Sequence, residues 1–442
     1  MHGSESPDGP ASGMTERWVR SWALGSVAFG GASLLVPLYI VQLGATPAQL
    51  GLLAAAAALI GAPGAMLFGR LATRLSRRRP LVLFTLGTTA VVLAVFPFIQ
   101  SVPVVILANT VLWFVIASIA PVVTMLVVAD RPESRWSRAI GALNKYQGYG
   151  WAGGLVLGMV WPAVGSRFLD PGAVSRTLFW VLGAFAGLSA LGAARTLPRP
   201  APDGALTSQR RIRRVARLLA RSHRGVREAT FAVSANRIYW STRTVDPRRL
   251  LGRLDSVFGR YLLAAGLFFA GFAVFWAPLP LLLTEAGLGT GQIFGLYLLS
   301  SLGAAVLYEG VGELAETLDV RYLQSGALGL RGLLFPLVAV LATVIPGLGS
   351  VLLPVVLAGI GVTWAVILVV GTTIVSRLSA PNVRAEALGS YTALGALAGG
   401  FGSLAGGWIA TFGYGLAVAV AGGLVLLGAL LVASLDPLSA RS

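Results

Sequence analysis

The chain has 442 residues, 56% hydrophobic and 12% charged, with a net charge of +17 and no cysteine. The missing thiols exclude disulfides, thiolate metal ligands and thiol nucleophiles, and His2 and His223 both lie outside the long apolar blocks, which leaves no histidine-based metal or catalytic centre. A mean hydropathy of +0.78, with apolar residues in unbroken blocks of about 20, excludes a soluble globular protein and also an alternating β-barrel; membrane-crossing helices remain.

Residues 1–20 are polar and rich in Ser, Gly and Pro at the start, lack the features of a cleaved signal peptide, and read as a cytoplasmic tail. Six apolar segments follow at about 21–41, 48–69, 80–99, 104–128, 139–162 and 177–195, an N-terminal six-helix bundle over residues 21–195. Residues 196–259 differ in composition. Thr196 to Arg260 carries 15 Arg against four acids, and Arg210, Arg213, Arg217, Arg221 and Arg224 recur at helical spacing with Ile212, Val215 and Leu219 on another face. This reads as a cytoplasmic linker, either a helix lying on an anionic lipid leaflet or a solvated segment. Six more segments at about 260–283, 291–312, 323–344, 350–376, 386–410 and 414–434 form a C-terminal bundle over residues 260–434, and 435–442 is a second cytoplasmic tail.

The halves resemble each other. Gly69-Arg70-Leu71-Ala72-Thr73-Arg74-Leu75 returns 243 positions later as Gly312-Glu313-Leu314-Ala315-Glu316-Thr317-Leu318, and the same offset pairs Gly44 with Gly287 and Gln49 with Gln292. The predicted fold is therefore all-α, with twelve transmembrane helices in two pseudo-symmetric six-helix bundles. Thirty of the 34 basic residues fall on the face of the N-terminus, Arg167 and Arg176 on the other, and Lys145 and Arg331 at membrane depth. The positive-inside rule puts both termini in the cytoplasm of a cell membrane. The positive charge follows topology, so it does not indicate a nucleic-acid partner.

Glycines recur every fourth residue at Gly150, Gly154 and Gly158, at Gly395 and Gly399, and at Gly402 and Gly406, forming smooth stripes that fit either static packing or surfaces where the halves meet and move. Gly148-Tyr149-Gly150-Trp151-Ala152-Gly153 matches a dinucleotide fingerprint in letters alone, because no strand precedes it and no soluble helix follows. No ATP-binding, zinc-hydrolase or nucleophile motif is present, and the sequence reads as neither an enzyme nor a protein with a cofactor.

The basic loop after the second segment, Gly69, Arg70, Thr73, Arg74, Arg77 and Arg78, together with twelve segments, the repeat and a long central linker, resembles the major facilitator superfamily of secondary transporters. That family has an acid where this chain has Thr73, and the second copy carries Glu316 there, beginning at Gly312. The resemblance implies that Glu316 faces the start of the fifth segment near Arg135 and Arg138. It also implies a central cavity between the halves. Candidate lining residues are Ser26, Ser33 and Gln42, then Asn109, Trp113, Asn144, Gln147, Trp151, Trp276, Tyr297, Trp364 and Tyr391. A wall this apolar and aromatic favours a neutral or amphipathic solute.

Ionisable residues inside segments are expensive in hydrocarbon. The first six segments hold no interior acid, so a proton-coupling site falls to Glu309 or Glu285. Lys145 is expected to pair with Glu309 as a cytoplasmic latch, and Arg331, about two turns inside the ninth segment, to snorkel to the cytoplasmic surface. The expected function is transport of a small solute by alternating access, as proton-coupled efflux, by a monomer with protons and membrane lipids as its other partners. The alternative is a transport-inactive sensor or assembly protein that docks partners or lipids through the basic linker.

Overall fold

The computed structural model of the chain describes residues 10–74, 79–128, 136–197, 257–379 and 383–435. Its helices are α1 (Pro10–Gln42), α2 (Pro47–Arg74), α3 (Arg79–Val95, continued by a 3-10 turn at Phe96–Phe98), α4 (Val102–Val128), α5 (Trp136–Gly165) and α6 (Pro171–Thr196) in the first half. The second half has α7 (Val257–Trp276), α8 (Leu279–Glu285), α9 (Thr290–Thr317), α10 (Val320–Thr343), α11 (Pro346–Leu378), α12 (Arg384–Ala410) and α13 (Tyr414–Ala433). Pro278 and Pro280 interrupt the seventh crossing, because proline lacks the donor that continues a helix, so α7 and α8 together make one crossing. Ten crossings among the described residues are long and apolar enough by composition to span a bilayer. The other two, α2 and α5, have 28 and 30 residues, enough to cross about 30 Å at about 1.5 Å per residue.

Packing repeats between the halves. α1 packs on α5 and α6 as α7 packs on α12 and α13; α2 packs on α4 as α9 packs on α11; α3 packs on α6 as α10 packs on α13. Two extensive contacts join the halves, α2 with α12 and α5 with α9. Each is the pseudo-symmetric counterpart of the other.

The paired glycines explain the repeat locally. Gly44 and Gly287 have φ of +81° and +86°, a left-handed conformation open to glycine at little cost. At each, the next residue donates to a carbonyl five back, Ala45 N to Ile40 O and Leu288 N to Leu283 O, which closes the preceding helix. Gln49 and Gln292 then accept from the backbone N–H of Thr46 and Gly289, at 2.9 and 2.8 Å, and open the following helix.

The glycine stripes serve two kinds of contact. A Cβ on Gly150 or Gly154 would meet α1 backbone oxygens at 2.2 and 2.3 Å, and one on Gly402 or Gly406 would meet α7 backbone at 2.6 and 2.5 Å, so these stripes close crossings within a half. Gly51 against Gly407, Gly400 against Leu59, Gly158 against Phe294 and Gly291 against Met159 join the halves. The Gly51, Gly158 and Gly291 contacts lie toward the α1–α2, α5–α6, α8–α9 and α12–α13 connections. At the other end, Gly141 on α5 and Gly310 on α9 have nothing within 4 Å among the described residues, and Val306 is 78% exposed. Among the described residues the halves meet at one face and splay at the other. Phe98, Phe168, Trp180, Trp408 and Phe412 stand exposed near the closed face, the arrangement of an interfacial aromatic belt.

Candidate functional site

The space between the halves is a cavity of about 570 Å³. Asn109, Trp113, Asn144, Gln147, Trp151, Trp276, Tyr297, Trp364 and Tyr391 all line it. Helix periodicity brings them together: each belongs to the inward stripe of α4, α5, α7, α9, α11 or α12, the helices that face the opposite half. Ser33 also lines the wall, with its hydroxyl donating to Gly30 O at 2.7 Å. Ser26 and Gln42, expected there too, do not. Ser26 is buried against α5 and donates to Trp22 O, and Gln42 is turned to Ser175 on α6, because the face of α1 toward the cavity is shared with its crossing on α5.

Two aromatic groups form the walls. In the first half Trp113 and Trp151 approach with ring centroids 6.4 Å apart. In the second, Trp276 meets Tyr297 edge-on at 5.1 Å and Phe272 meets Trp364 at 5.9 Å. The Nδ2 of Asn144 is buried and has no hydrogen-bond partner among the described residues.

Arg331 departs from expectation. It does not snorkel; it is 2% exposed and lines the cavity, although α10 is a peripheral helix. The residue lies about 16 Å along α10 from Val320, too deep for its side chain to reach the near surface. Instead Nη1 donates to Ile360 O at 3.0 Å and Thr363 Oγ1 at 3.3 Å on α11. The guanidinium lies 4.3, 5.4 and 5.5 Å from the ring centroids of Phe272, Trp364 and Phe335, so cation–π attraction offsets part of its desolvation. A sequence signal existed: Gln324, Leu328, Arg331, Phe335, Val338 and Ala342 are all buried and fall at spacings of three and four along one face.

The expected gating residues are less gathered. Lys145 is exposed, with its ammonium 5.6 Å from the ring centroid of Tyr149 one turn on. The Glu309 side chain lies outside the described residues, and so does the pairing expected of it. Glu285 and Glu316 are exposed, at the closed and splayed ends respectively. Gly69, Arg70, Thr73 and Arg74 belong to the last turns of α2 and Gly312 to α9, but what surrounds them, and all of Arg77, Arg78 and Arg135, falls outside the described residues, as does the Arg138 side chain. The central linker from 198 to 256 does too. Sequence reasoning overlooked a charged clasp near that end: Asp319 and Arg321 form an ion pair of 2.7 Å, and Arg321 Nη1 also donates to Leu435 O, tying the start of α10 to the end of α13.

A pseudo-symmetric pair of six-helix bundles around a central cavity defines a membrane transporter. The sequence profile of the Major Facilitator Superfamily matches residues 22–369, and the chain belongs to that family; it is a multi-pass membrane protein and a secondary transporter, not an enzyme. No curated protein matches it in sequence. Among solved structures it is similar to a bacterial homologue of the human lysosomal transporter Spinster, at 14% identity over 96% of this chain and 97% of that one, with a TM-score of 0.70. It is also similar to the nucleoside transporter NupG, at 12% identity over 96% and 98% of the chains with a TM-score of 0.69. The E. coli xylose transporter XylE is 17% identical over 95% and 97%, with a TM-score of 0.59. At these identities the likeness is one of fold.

Proposed function

We propose that the protein moves a small amphipathic solute through the central cavity by proton-coupled alternating access, in the cell membrane with both termini cytoplasmic. The cavity carries this reading: about 570 Å³ of mostly apolar and aromatic space between two similar bundles that, among the described residues, pack closely at one face and stand apart at the other. A rocking motion that exchanges the closed face for the splayed one presents the same wall to each side in turn. With both termini cytoplasmic, the splayed face is the cytoplasmic one and the arrangement is inward-open.

The first half supplies no interior acid, so protons enter through the second. Glu309 is the stronger candidate, being deeper on a cavity helix, and Glu285 the weaker. The basic linker holds the loop against anionic lipid. Proteoliposomes loaded with neutral, cationic and anionic fluorescent amphiphiles, followed with and without a pH gradient, test the proposal. Protein-dependent, gradient-accelerated flux of at least one dye, with the acceleration lost in Glu309→Gln, is expected. Flux equal to that of protein-free liposomes for every dye overturns it.

A further inference from the structure

We propose that the first-half wall of the cavity selects aromatic solutes bearing a neutral carboxamide-type edge, one that donates and accepts hydrogen bonds in a single plane. This rests on reading the cavity as the solute site. Over residues 21–69, 102–128 and 139–165, which supply that wall from α1, α2, α4 and α5, the sequence holds one charged residue, Lys145. Its side chain is exposed beside Tyr149 and is not part of the described lining. The side chains at 62–69, outside the described ones, are all apolar. The polar groups that remain on the wall divide into two kinds. The Ser33 and Thr124 hydroxyls donate to carbonyls of their own helices, Gly30 O and Ala120 O. The amides of Asn109, Asn144 and Gln147 line the cavity and hydrogen-bond to no described residue; Asn109 is 3% exposed, and the Nδ2 of Asn144 is buried and unsatisfied. Unpaired amides in so apolar a wall are costly, and a matching solute group relieves that cost.

Their placement sets the shape of the solute. Trp113 and Trp151 meet at 6.4 Å, close to the middle of α4 and α5. Asn109 stands one turn from Trp113 toward the closed face, and Gln147 one turn from Trp151 toward the splayed face, because α4 and α5 run in opposite directions. A planar aromatic body laid against the two indoles therefore has an amide about 6 Å away along the cavity at either end. Each amide offers one acceptor and two donors in a plane, which a carboxamide, lactam or urea edge matches on both counts. An ester or ketone leaves the amide oxygens unpaired, and an ionic head must shed its hydration against groups that carry no charge.

The cysteine-free chain allows a direct test. Ser33→Cys places a thiol on this wall, one turn from Gly30, which packs on the Trp151 backbone. In full-length protein in zwitterionic nanodiscs, its rate of labelling by a fluorescent maleimide is followed against 2-naphthamide, methyl 2-naphthoate and 2-naphthoate, which share one apolar body. The amide should protect at concentrations about three- to tenfold below the ester, the size of a neutral hydrogen bond, and below the anion as well. In Asn109→Leu and Gln147→Leu, which nearly keep the side-chain volume, that preference should shrink while protection by the ester stays; a merely structural role would move both together. The order on the unaltered amide wall needs neither variant to fold. Protection by the ester or the anion equal to that by the amide, or a preference unchanged in both leucine variants, overturns the amide proposal and leaves the solute cavity standing. A reactive thiol protected by none of the three overturns both.

Discussion

Asp319 and Arg331 stand on the same helix and show how surroundings decide what a charge does. Asp319 is the N-cap of α10, accepting from Arg321 N at 3.0 Å and from the Arg321 guanidinium, and these side-chain hydrogen bonds hold its carboxyl below the ordinary 3.8 against some desolvation. A lowered folded-state value means the stabilisation is present at neutral pH and is lost as pH falls through that value. Asp319→Ala should destabilise the protein by about 1 kcal/mol at pH 7, the worth of a typical cap, and the difference from wild type should close as pH is lowered below the carboxylate range. Thermal unfolding at both ends of that range checks it; equal stability at pH 7 contradicts it. Arg331 was harder to place from sequence. Its depth was legible, but a long side chain near a predicted helix end also fits snorkelling, and only the buried three-and-four pattern from Gln324 to Ala342 separates the two.

The helices themselves were more legible than their contacts. Blocks of about 20 apolar residues require crossings, and the offset shared by Gly44 with Gly287 and Gln49 with Gln292 marks equivalent turns, because each pair performs the same capping in its half. Gly44→Ala and Gly287→Ala should each lower stability by about 1–2 kcal/mol through the left-handed backbone, additively in the double variant; thermal unfolding of all three checks this. Spacing of four cannot say which neighbour a glycine stripe faces. Gly154 serves the α1–α5 crossing while Gly158, one turn on, meets Phe294 of the other half. The two kinds should separate on substitution. Gly154→Val should fail to give monodisperse protein, since the obstacle is α1 backbone of the same bundle, which cannot move away without unpacking that bundle. Gly51→Val obstructs Gly407 and Ser403 at the closed face, and should fold but open that face. A cysteine at Ser33 would then react faster with a reagent applied from the closed side, and an unchanged rate contradicts the assignment.

At the scale of the molecule, family and architecture were legible because repeat, charge distribution and loop motif agree, whereas solute and coupling depend on a few side chains whose neighbours come from other segments. The proposed orientation rests on the arginine asymmetry: single cysteines at Ser101 and Thr290 should label from outside sealed cells, and those at Ser76 and Ser208 only from inside. Outside labelling at Ser208 contradicts it. The central claim is that one cavity serves both faces in turn. It is tested most directly by spin-label distances across each face, with one pair at Ala142 and Glu313 on the splayed end of α5 and α9, and another at Ser166 and Thr290 on the closed end. Alternating access predicts a second population, raised by solute or pH, in which the Ala142–Glu313 distance shortens and the Ser166–Thr290 distance lengthens together. A single unchanging distance in both pairs, or both ends opening at once, would contradict it.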